Sequence, residues 1–295
     1  LKAPERRATN QEIIGLAGCS IAKSFGIKVN SQSLEKRWDE ALSSQSSEGW
    51  FNEYDGADTG YLSVTCDALY DYYDATGDQR ALLAIERAAK YLHHFLTVAD
   101  DVPAMINSRN TDYIVPYGLA RLGKTDPFAS SVVQRVSQGV EKPRHFLNHI
   151  DDRYLVHYVY TSWFRSLKHL EGLTKPEESP TGLSWFPKAK IFILHSSNES
   201  SIHVAAGKGG VTLRTNSDGT REGDLGWRGH VGRVLTTTHW QEPLATVSHK
   251  SHGSAHVIRT NMPLMKHSFL VPTVLKHICL RILSCLLYTS DAADE

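Results

Sequence analysis

A loop that is rich in aromatic residues, carboxylates and glycines lies between residues 48 and 61, directly before a stretch with helical apolar spacing. Its candidate substrate-binding side chains are Trp50, Glu53, Tyr54, Asp58 and Tyr61. Aromatic faces stack on sugar rings, carboxylates accept hydrogen bonds from hydroxyls, and glycines allow close backbone approach. We therefore predict a carbohydrate-binding loop. The alternative is a loop that only caps a helical hairpin, with Asp58 as the helix cap and Tyr61 packed in the core.

Histidine side chains are the second group of candidate site residues. The chain has 15 of them, and most lie in its second half. His203 alternates with Ile202 and Val204, so we predict that it faces away from the apolar side of a strand and lines a cleft. An exposed or hydrogen-bonded structural role is the alternative. His145 and His149 have the spacing of paired metal ligands, but no third ligand accompanies them, and we predict neither a metal nor a cofactor.

The bulk composition restricts the classes of partner. The chain has 295 residues, with 32 basic and 32 acidic side chains and 41% hydrophobic residues. A large core is therefore available, and the absence of a basic excess argues against nucleic-acid binding. A local basic cleft remains compatible with a polyanionic partner. The apolar stretch from Val274 to Leu283 is about half the length of a membrane span, so none is predicted.

The ends of the chain indicate a fragment. The sequence opens at Leu1 without Met, and residues 285–295 resemble a translated sequencing adaptor. We expect truncation at both ends and exclude this tail from the fold. Four widely separated cysteines predict no disulfide framework. Compartment and oligomeric state stay open.

Helical spacing of apolar residues dominates the first half of the chain. It predicts helices near residues 10–17, 33–42, 61–75 and 79–95, with Asn10 as a possible cap of the first. Gly77 ends the third helix and Asp78 caps the fourth, so these two are antiparallel neighbours. Another helix is expected over residues 151–170, which open with acidic side chains.

The apolar period changes after Pro176. Short segments rich in β-branched residues, at 190–195, 201–206 and 211–215, predict an antiparallel meander that continues at 231–240 and 254–259. The run from Gly207 to Gly210 lacks the order of a phosphate-binding loop, so we interpret it as a hairpin turn. The order of elements predicts an α+β multidomain fold, with a helical domain over residues 1–175 and a β-domain over residues 183–284.

These pieces, taken in order, resemble the heparinase II/III-like family. The resemblance is based on the 48–61 loop, the Thr76-Gly-Asp78 link, the run from Ser108 to Tyr113, the run from Asp151 to Tyr154 and the strand-rich module. It covers residues 10–283. It implies a partial (α/α) toroid followed by an antiparallel β-sandwich. It also implies a lyase that cuts acidic polysaccharides or oligosaccharides in the cleft between them.

The resemblance implies β-elimination at a uronate, in which a base removes the C5 proton and the 4-linked oxygen leaves. The neighbouring carboxylate must be neutralised, and a Tyr or His usually transfers the proton. We predict Arg109 or Asn110 for neutralisation, Tyr113 for proton transfer and His203 as a contributor from the sheet. The alternative is that Arg109 pairs with a nearby aspartate, Asn110 forms a turn and Tyr113 packs in the core.

Two other functions stay open at this point. A glycoside hydrolase would use two carboxylates among Glu53, Asp55 and Asp58, and an inverting pair needs about 6.5–9.5 Å between them. A non-catalytic glycan-binding protein would use Trp50, Phe51 and Tyr54 as stacking platforms.

Overall fold

Helices precede antiparallel strands in the computed structural model, which describes residues 7–142, 145–150, 155–196, 199–253 and 255–266, together with 274, 275, 278, 279 and 282. The α+β prediction is confirmed at this level. The predicted helix start at 151–154, most of the 274–283 segment and the tail at 285–295 lie outside the described residues.

Seven α-helices occur within these ranges. They are α1 (Thr9–Ser24), α2 (Ser31–Ser43), α3 (Thr59–Thr76), α4 (Gln79–Phe95), α5 (Tyr117–Leu122), α6 (Pro127–Gln138) and α7 (Tyr160–Ser166). A π-helical turn, Leu155–Val159, precedes α7, and a 3₁₀ turn, Leu167–His169, follows it. The predicted 151–170 helix is therefore irregular where it is described. No helix in the described ranges has the length and apolarity needed to cross a membrane.

Local capping explains most of the helix boundaries. Gly77 ends α3 in the left-handed region with φ +72°, and the Asp78 side chain accepts a hydrogen bond from the Arg80 backbone N–H at 3.0 Å. Both predictions are confirmed. Asn10 is not the cap of α1: it lies inside the helix, and its backbone N–H donates to Glu53 Oε1 at 2.7 Å.

The strands belong to two compact units. The first, Leu1–Trp227 with Thr238–Pro263, holds the helices and a five-stranded antiparallel meander in sequence order. Its strands are β1 (Gly182–Phe186), β2 (Ile191–Ser196), β3 (Ser200–Ala205), β4 (Val211–Asn216), β5 (Arg221–Asp224) and the separate pair β8 (Thr246–His252) and β9 (Ala255–Asn261). The second unit contains β6 (Arg228–Val231), β7 (Val234–Thr237) and β10 (Met265–Lys266). The predicted meander is confirmed for β2, β3 and β4. Its predicted continuation is wrong, because β7 and β9 belong to a separate three-stranded and a separate two-stranded sheet. The strands β1, β5, β6, β8 and β10 were not predicted.

One face of the meander joins the hydrophobic core of the helices. In register across β2, β3 and β4, Ile193, His203 and Leu213 lie side by side on that face. His203 is fully buried, whereas Ile202 is only half-buried. The prediction that His203 faces away from the apolar side is therefore wrong. The neighbouring strands, with their larger aliphatic residues, determine which face of β3 is buried.

Histidines of the sheet satisfy the end of α4. The last carbonyl groups of a helix have no partner within it. His195 Nε2 lies 3.0 Å from the His94 carbonyl oxygen, and His203 Nε2 lies 2.9 Å from that of Phe95. Both imidazoles therefore carry a proton on Nε2, which they donate to these carbonyls. The contact joins the helices to the sheet within the first unit.

Close packing between α3 and α5 requires a glycine at position 118. A Cβ atom there would lie 2.3 Å from the Cys66 carbonyl oxygen, which is backbone of α3. We expect Gly118→Ala to lower the free energy of unfolding by about 1–3 kcal/mol, the cost of overpacking. Gly15→Ala is the matched control, because a Cβ in α1 there meets nothing within 4 Å and adds helix propensity. Urea titrations monitored by circular dichroism measure both, and equal stability of the two variants would contradict the prediction.

Candidate functional site

The N-terminal end of α3 is held by a buried carboxylate. Asp58 is 1% exposed, and its Oδ1 accepts hydrogen bonds from the Tyr61 backbone N–H at 3.1 Å and from Thr111 Oγ1 at 2.5 Å. Its Oδ2 accepts one from the Arg109 backbone N–H at 3.0 Å. Burial raises the pKa of Asp58, and these hydrogen bonds oppose that shift. The capping alternative is confirmed for Asp58, so its carboxylate is not an open substrate ligand.

A second side chain, Asn107, fastens the same loop to the helix. Its Oδ1 accepts from the Thr59 backbone N–H at 3.0 Å, and its Nδ2 donates to Thr59 Oγ1 and to the Thr111 carbonyl oxygen. The Gly60 N–H donates to Thr111 Oγ1 at 3.1 Å. The first free N–H groups of α3 are thus satisfied by the segment 107–111, which is thereby held in one position.

The sheet contributes a buried cation to this loop. Lys208 lies in the β3–β4 turn and is 3% exposed. Its Nζ donates to the Asn107 carbonyl oxygen at 2.5 Å and to Asn110 Oδ1 at 2.6 Å. Burial lowers the pKa of Lys208 to about 8, although the nearby Asp58 opposes the shift. The hairpin turn was correctly predicted. The contact of its lysine with the 107–111 loop was not predicted. The one signal for it in the sequence is that Lys208 is a single cation in a turn with three glycines.

A stacked cation lies beside this lysine contact. The Arg109 guanidinium carbon is 4.4 Å from the centre of the Tyr54 ring, and that of Arg7 is 5.7 Å from the same ring. Arg109 and Asn110 are exposed, whereas Tyr54 is half-buried. With the buried Lys208, the two arginines concentrate positive charge here, although Asp55 pairs with Arg7 at 3.7 Å. The zero net charge of the chain conceals this local excess. We call Tyr54, Arg109, Asn110 and Lys208 the basic cluster.

The backbone at the basic cluster is unusual. Tyr54, Asp55 and Asn110 have φ values of +53°, +73° and +57°, in the left-handed region that side chains other than glycine rarely adopt. Such conformations cost on the order of 1–3 kcal/mol each and concentrate at functional sites. They persist here because the hydrogen bonds of Asp58 and Asn107 hold both loops.

Close contacts at glycines bring the loops and the sheet turn together. A Cβ on Gly56 would lie 2.8 Å from the Gln241 side-chain amide carbon and 3.0 Å from Ser108 Cβ. The Glu242 backbone N–H donates to the Gly207 carbonyl oxygen at 2.9 Å. The segment around Gln241 therefore packs against both the 53–58 loop and the Lys208 turn. Within this unit, the basic cluster is bordered by parts of the helical region and parts of the sheet region.

Several residues predicted for the site lie elsewhere. Tyr113 is 4% exposed and packs in the hydrophobic core beside Phe146, at a centroid distance of 6.2 Å, so it is not an accessible proton-transfer group. His203 is in the core for the reason given above. The prediction of Glu53 as a substrate ligand is also wrong, because Glu53 is 1% exposed and binds the start of α1.

The predicted aromatic platforms are separated. Trp50 is half-buried against the core and donates from Nε1 to Glu48 Oε2 at 2.9 Å. Phe51 is 2% exposed and is not a stacking surface. Tyr61 is half-buried in the first turn of α3. Only Tyr54, of the aromatic residues predicted to bind sugar, lies in the basic cluster.

The histidine pair considered as metal ligands has other roles. His149 Nε2 lies 3.0 Å from Asp112 Oδ2, and His145 Nδ1 accepts from the Leu147 backbone N–H at 3.3 Å. The part of the chain that is described holds no group of three or more His, Cys, Asp or Glu residues placed to bind a metal ion.

Comparison with known proteins adds no relative. No protein-family model, no curated protein and no solved structure matches this chain.

Proposed function

We propose that the chain binds an acidic polysaccharide at the basic cluster and cleaves it by β-elimination next to a uronate. The observation that supports this most is the reach of Lys208 from the sheet turn into the 107–111 loop, where it meets Asn110 beside the exposed Arg109. A guanidinium, an ammonium and an amide then lie close together, and this set of donors suits a carboxylate.

Neutralisation of the substrate carboxylate falls to Arg109 and Asn110. The Arg109 guanidinium presents two parallel N–H groups that match a carboxylate. Lys208 occupies Asn110 Oδ1, which leaves the Nδ2 hydrogens of Asn110 for a substrate oxygen. Both groups favour the negative charge that develops when the C5 proton leaves. In this proposal Lys208 is a positioning residue, because it is nearly buried and acts through Asn110.

Proton transfer is assigned to Tyr54 in place of Tyr113. Tyr54 is the phenol of the basic cluster, and its ring lies against Arg109. A general base must come within hydrogen-bond reach of the proton that it removes, and the buried Tyr113 does not meet that requirement. Tyr54 is half-buried, so part of its side chain is open to solvent.

The two alternative functions receive less support. Hydrolysis needs two carboxylates that face the substrate. Asp58 and Glu53 are buried and hydrogen-bonded to backbone groups, so of the three candidates only Asp55 is exposed. Glycan binding without catalysis needs several stacking rings, and Tyr54 alone lies at the cluster. Neither arrangement uses Lys208.

The finer architecture is part of the same proposal. We interpret the antiparallel neighbours α3 and α4, with α1, α2, α5, α6 and α7, as a partial (α/α) toroid. The meander would be one layer of a β-sandwich. Support for a second layer comes from the β8–β9 pair, where His249 contacts Phe192 at a centroid distance of 5.1 Å on the other face of the meander.

Elimination leaves an unsaturated uronate that absorbs ultraviolet light, so the activity can be measured directly. We expect the intact protein to produce such absorbance with at least one polymer among heparan, chondroitin, hyaluronan and alginate. We expect Arg109→Gln to lower kcat/KM by about 10²-fold, because a donor to the developing charge is lost. Arg87→Gln, an exposed arginine of α4, is the matched control.

The other outcomes discriminate among the functions. New reducing ends without ultraviolet absorbance would indicate hydrolysis, and binding without turnover would indicate a glycan-binding protein. No absorbance with any of the four polymers would contradict the proposed elimination.

A further inference from the structure

Three polar side chains of the β8–β9 hairpin converge near its turn, and none of them belongs to the basic cluster. His249 Nε2 lies 3.3 Å from His256 Nδ1. Ser251 Oγ lies 3.3 Å from the first of these nitrogens and 3.1 Å from the second. The three atoms therefore form a nearly equilateral triangle. We call His249, Ser251 and His256 the hairpin cluster.

The register of the two strands explains why these side chains meet. Ser251 lies directly opposite His256, and His249 is two positions before Ser251, so all three point to one face of the hairpin. Successive side chains of a strand alternate between faces, which places both permanent cations of the hairpin, Lys250 and Arg259, on the other face. The hairpin therefore places no Lys or Arg beside the cluster.

Aromatic packing on the meander fixes one of the imidazoles. The centres of the His249 and Phe192 rings are 5.1 Å apart, and Phe192, which is 1% exposed, stacks on Trp185 at 3.7 Å. His249 and His256 are half-buried, whereas Ser251 is exposed. The cluster is thus supported from below by the meander and is open to solvent at its serine.

Hydrogen bonds alone satisfy this triangle poorly. A ring nitrogen of a neutral imidazole has either one N–H or one lone pair, which lies in the ring plane. Each of the two nitrogens nevertheless faces two neighbours, the other nitrogen and the serine oxygen. Two of the three separations are 3.3 Å, beyond the usual range of about 2.7–3.2 Å for such hydrogen bonds. One atom near the centre of the triangle could instead accept a lone pair from all three.

We propose that the hairpin cluster binds a zinc ion. Two nitrogens that each lie about 2.0–2.1 Å from one tetrahedral zinc ion are about 3.3–3.4 Å apart, and His249 Nε2 and His256 Nδ1 are 3.3 Å apart. Imidazole nitrogen is a preferred zinc ligand. The Ser251 oxygen takes the third corner, which leaves the fourth for water. This proposal replaces the expectation from the sequence that no metal binds, and it does not depend on the proposed elimination.

The set of ligands predicts a site of modest affinity. Structural zinc sites are usually closed by four protein ligands, mostly Cys and His. The cluster offers two histidines and a hydroxyl, and in the part of the chain that the structure describes no third His, Cys, Asp or Glu joins them. The bound ion would therefore keep an exchangeable water ligand. It would also link β8 to β9 near their turn.

Zinc and cobalt(II) titrations of the full chain test the site. Calorimetry is done at constant pH, because protons compete with zinc for imidazole nitrogens. We expect one zinc ion per chain, with a dissociation constant below about 0.1 mM. Cobalt(II) in the same site should show the strong visible absorption of tetrahedral coordination. Absence of saturable zinc binding, or the weak absorption of octahedral cobalt, would overturn the proposal.

Single substitutions identify the ligands. We expect His249→Gln and His256→Gln each to weaken zinc binding by about tenfold or more, since changes outside the ligand shell already cost about 10–100-fold. The matched control is His252→Gln, which removes an exposed imidazole from the other face of the same hairpin and should leave the affinity unchanged.

Histidine ¹H–¹⁵N spectra of the unmodified protein give a second measurement if a glutamine variant does not fold. Zinc should shift the resonances of His249 Nε2 and His256 Nδ1. Unchanged affinity in a folded His249→Gln or His256→Gln protein, an equal loss in His252→Gln, or shifts confined to other histidines would each contradict the assignment.

Discussion

Replacement of Lys208 by methionine is expected to reduce β-elimination by about 10²-fold or more. The methionine fills similar space but no longer holds Asn110 Oδ1, so the amide that faces the substrate carboxylate loses its fixed orientation. It also removes a positive charge close to Arg109 and Asp58. Ultraviolet measurement of unsaturated product gives kcat and KM separately, and we expect most of the loss in kcat.

The pH profile separates this role from a purely structural one. Because the pKa of Lys208 is about 8, its positive charge is present below pH 8 and is lost as the pH rises through that value. Activity of the unmodified protein should therefore fall above pH 8, and Lys208→Met should lack that decline. Lys188→Met, with an exposed side chain, is the matched control. A folded Lys208→Met protein with unchanged kcat and the same alkaline decline would contradict the assignment.

The variant also leaves the Asn107 carbonyl oxygen without the lysine donor. This costs about 1–3 kcal/mol, which is partly offset because a buried charge disappears. A thermal melt therefore accompanies each assay. If the methionine variant does not fold, Asn110→Ala tests the same contact from the exposed side, and we expect a similar loss of kcat.

Local signals in the sequence predicted the helices α1 to α4, whereas α5 and α6 were not predicted. Gly77 and Asp78 act on their own neighbours in the chain, so their capping was readable without tertiary contacts. The same holds for the Lys208 turn. Which face of β3 is buried could not be predicted from β3 alone, because the burial depends on Ile193 and Leu213 in the paired strands. A single strand with a polar residue between two apolar ones fits either orientation.

The basic cluster shows the same limit for function. Arg109 and Asn110 were predicted because a cation and an amide occur together in sequence. Their contacts with Tyr54 and Lys208 bridge 55 and 98 positions of the chain, and no local pattern indicates them. Tyr113 was selected by proximity to Arg109, but a residue four positions along a loop can point into the core, as Tyr113 does.

Four histidines create the second strong dependence on pH, in the stability of the first unit. They lie where the end of α4 meets β2 and β3. The ring centroids of His93 and His94 are 5.5 Å apart, and those of His195 and His203 are 6.0 Å apart. Burial lowers the pKa of all four, to about 4 for His93 and about 3 for His203. The charged groups near them are cations, namely Arg135, Lys90 and Arg221, which disfavour protonation further.

Acid is therefore expected to destabilise the protein through these rings. A histidine whose folded-state pKa lies below its unfolded value of about 6.5 stabilises the fold fully above pH 6.5. That contribution is lost as the pH falls, because the unfolded chain binds a proton that the folded chain does not. For His203 the loss reaches on the order of 3 kcal/mol by pH 4. A second proton on its ring would sit on Nδ1, which has no hydrogen-bond partner among the described residues.

The test is the difference in stability between the unmodified protein and His203→Gln from pH 5 to 6.5. Glutamine keeps a donor for the Phe95 carbonyl but does not titrate. We expect the free energy of unfolding to change less steeply with pH in the variant, by about 1 kcal/mol per pH unit averaged over this range. Taking the difference cancels groups with the opposite effect, such as Asp67, whose pKa burial raises to about 7. His252→Gln, at an exposed position of β8, is the control and should keep the full slope. A ring that stays neutral in the folded protein takes up a proton when the chain unfolds in this pH range. Identical slopes for His203→Gln and the unmodified protein would therefore contradict the prediction.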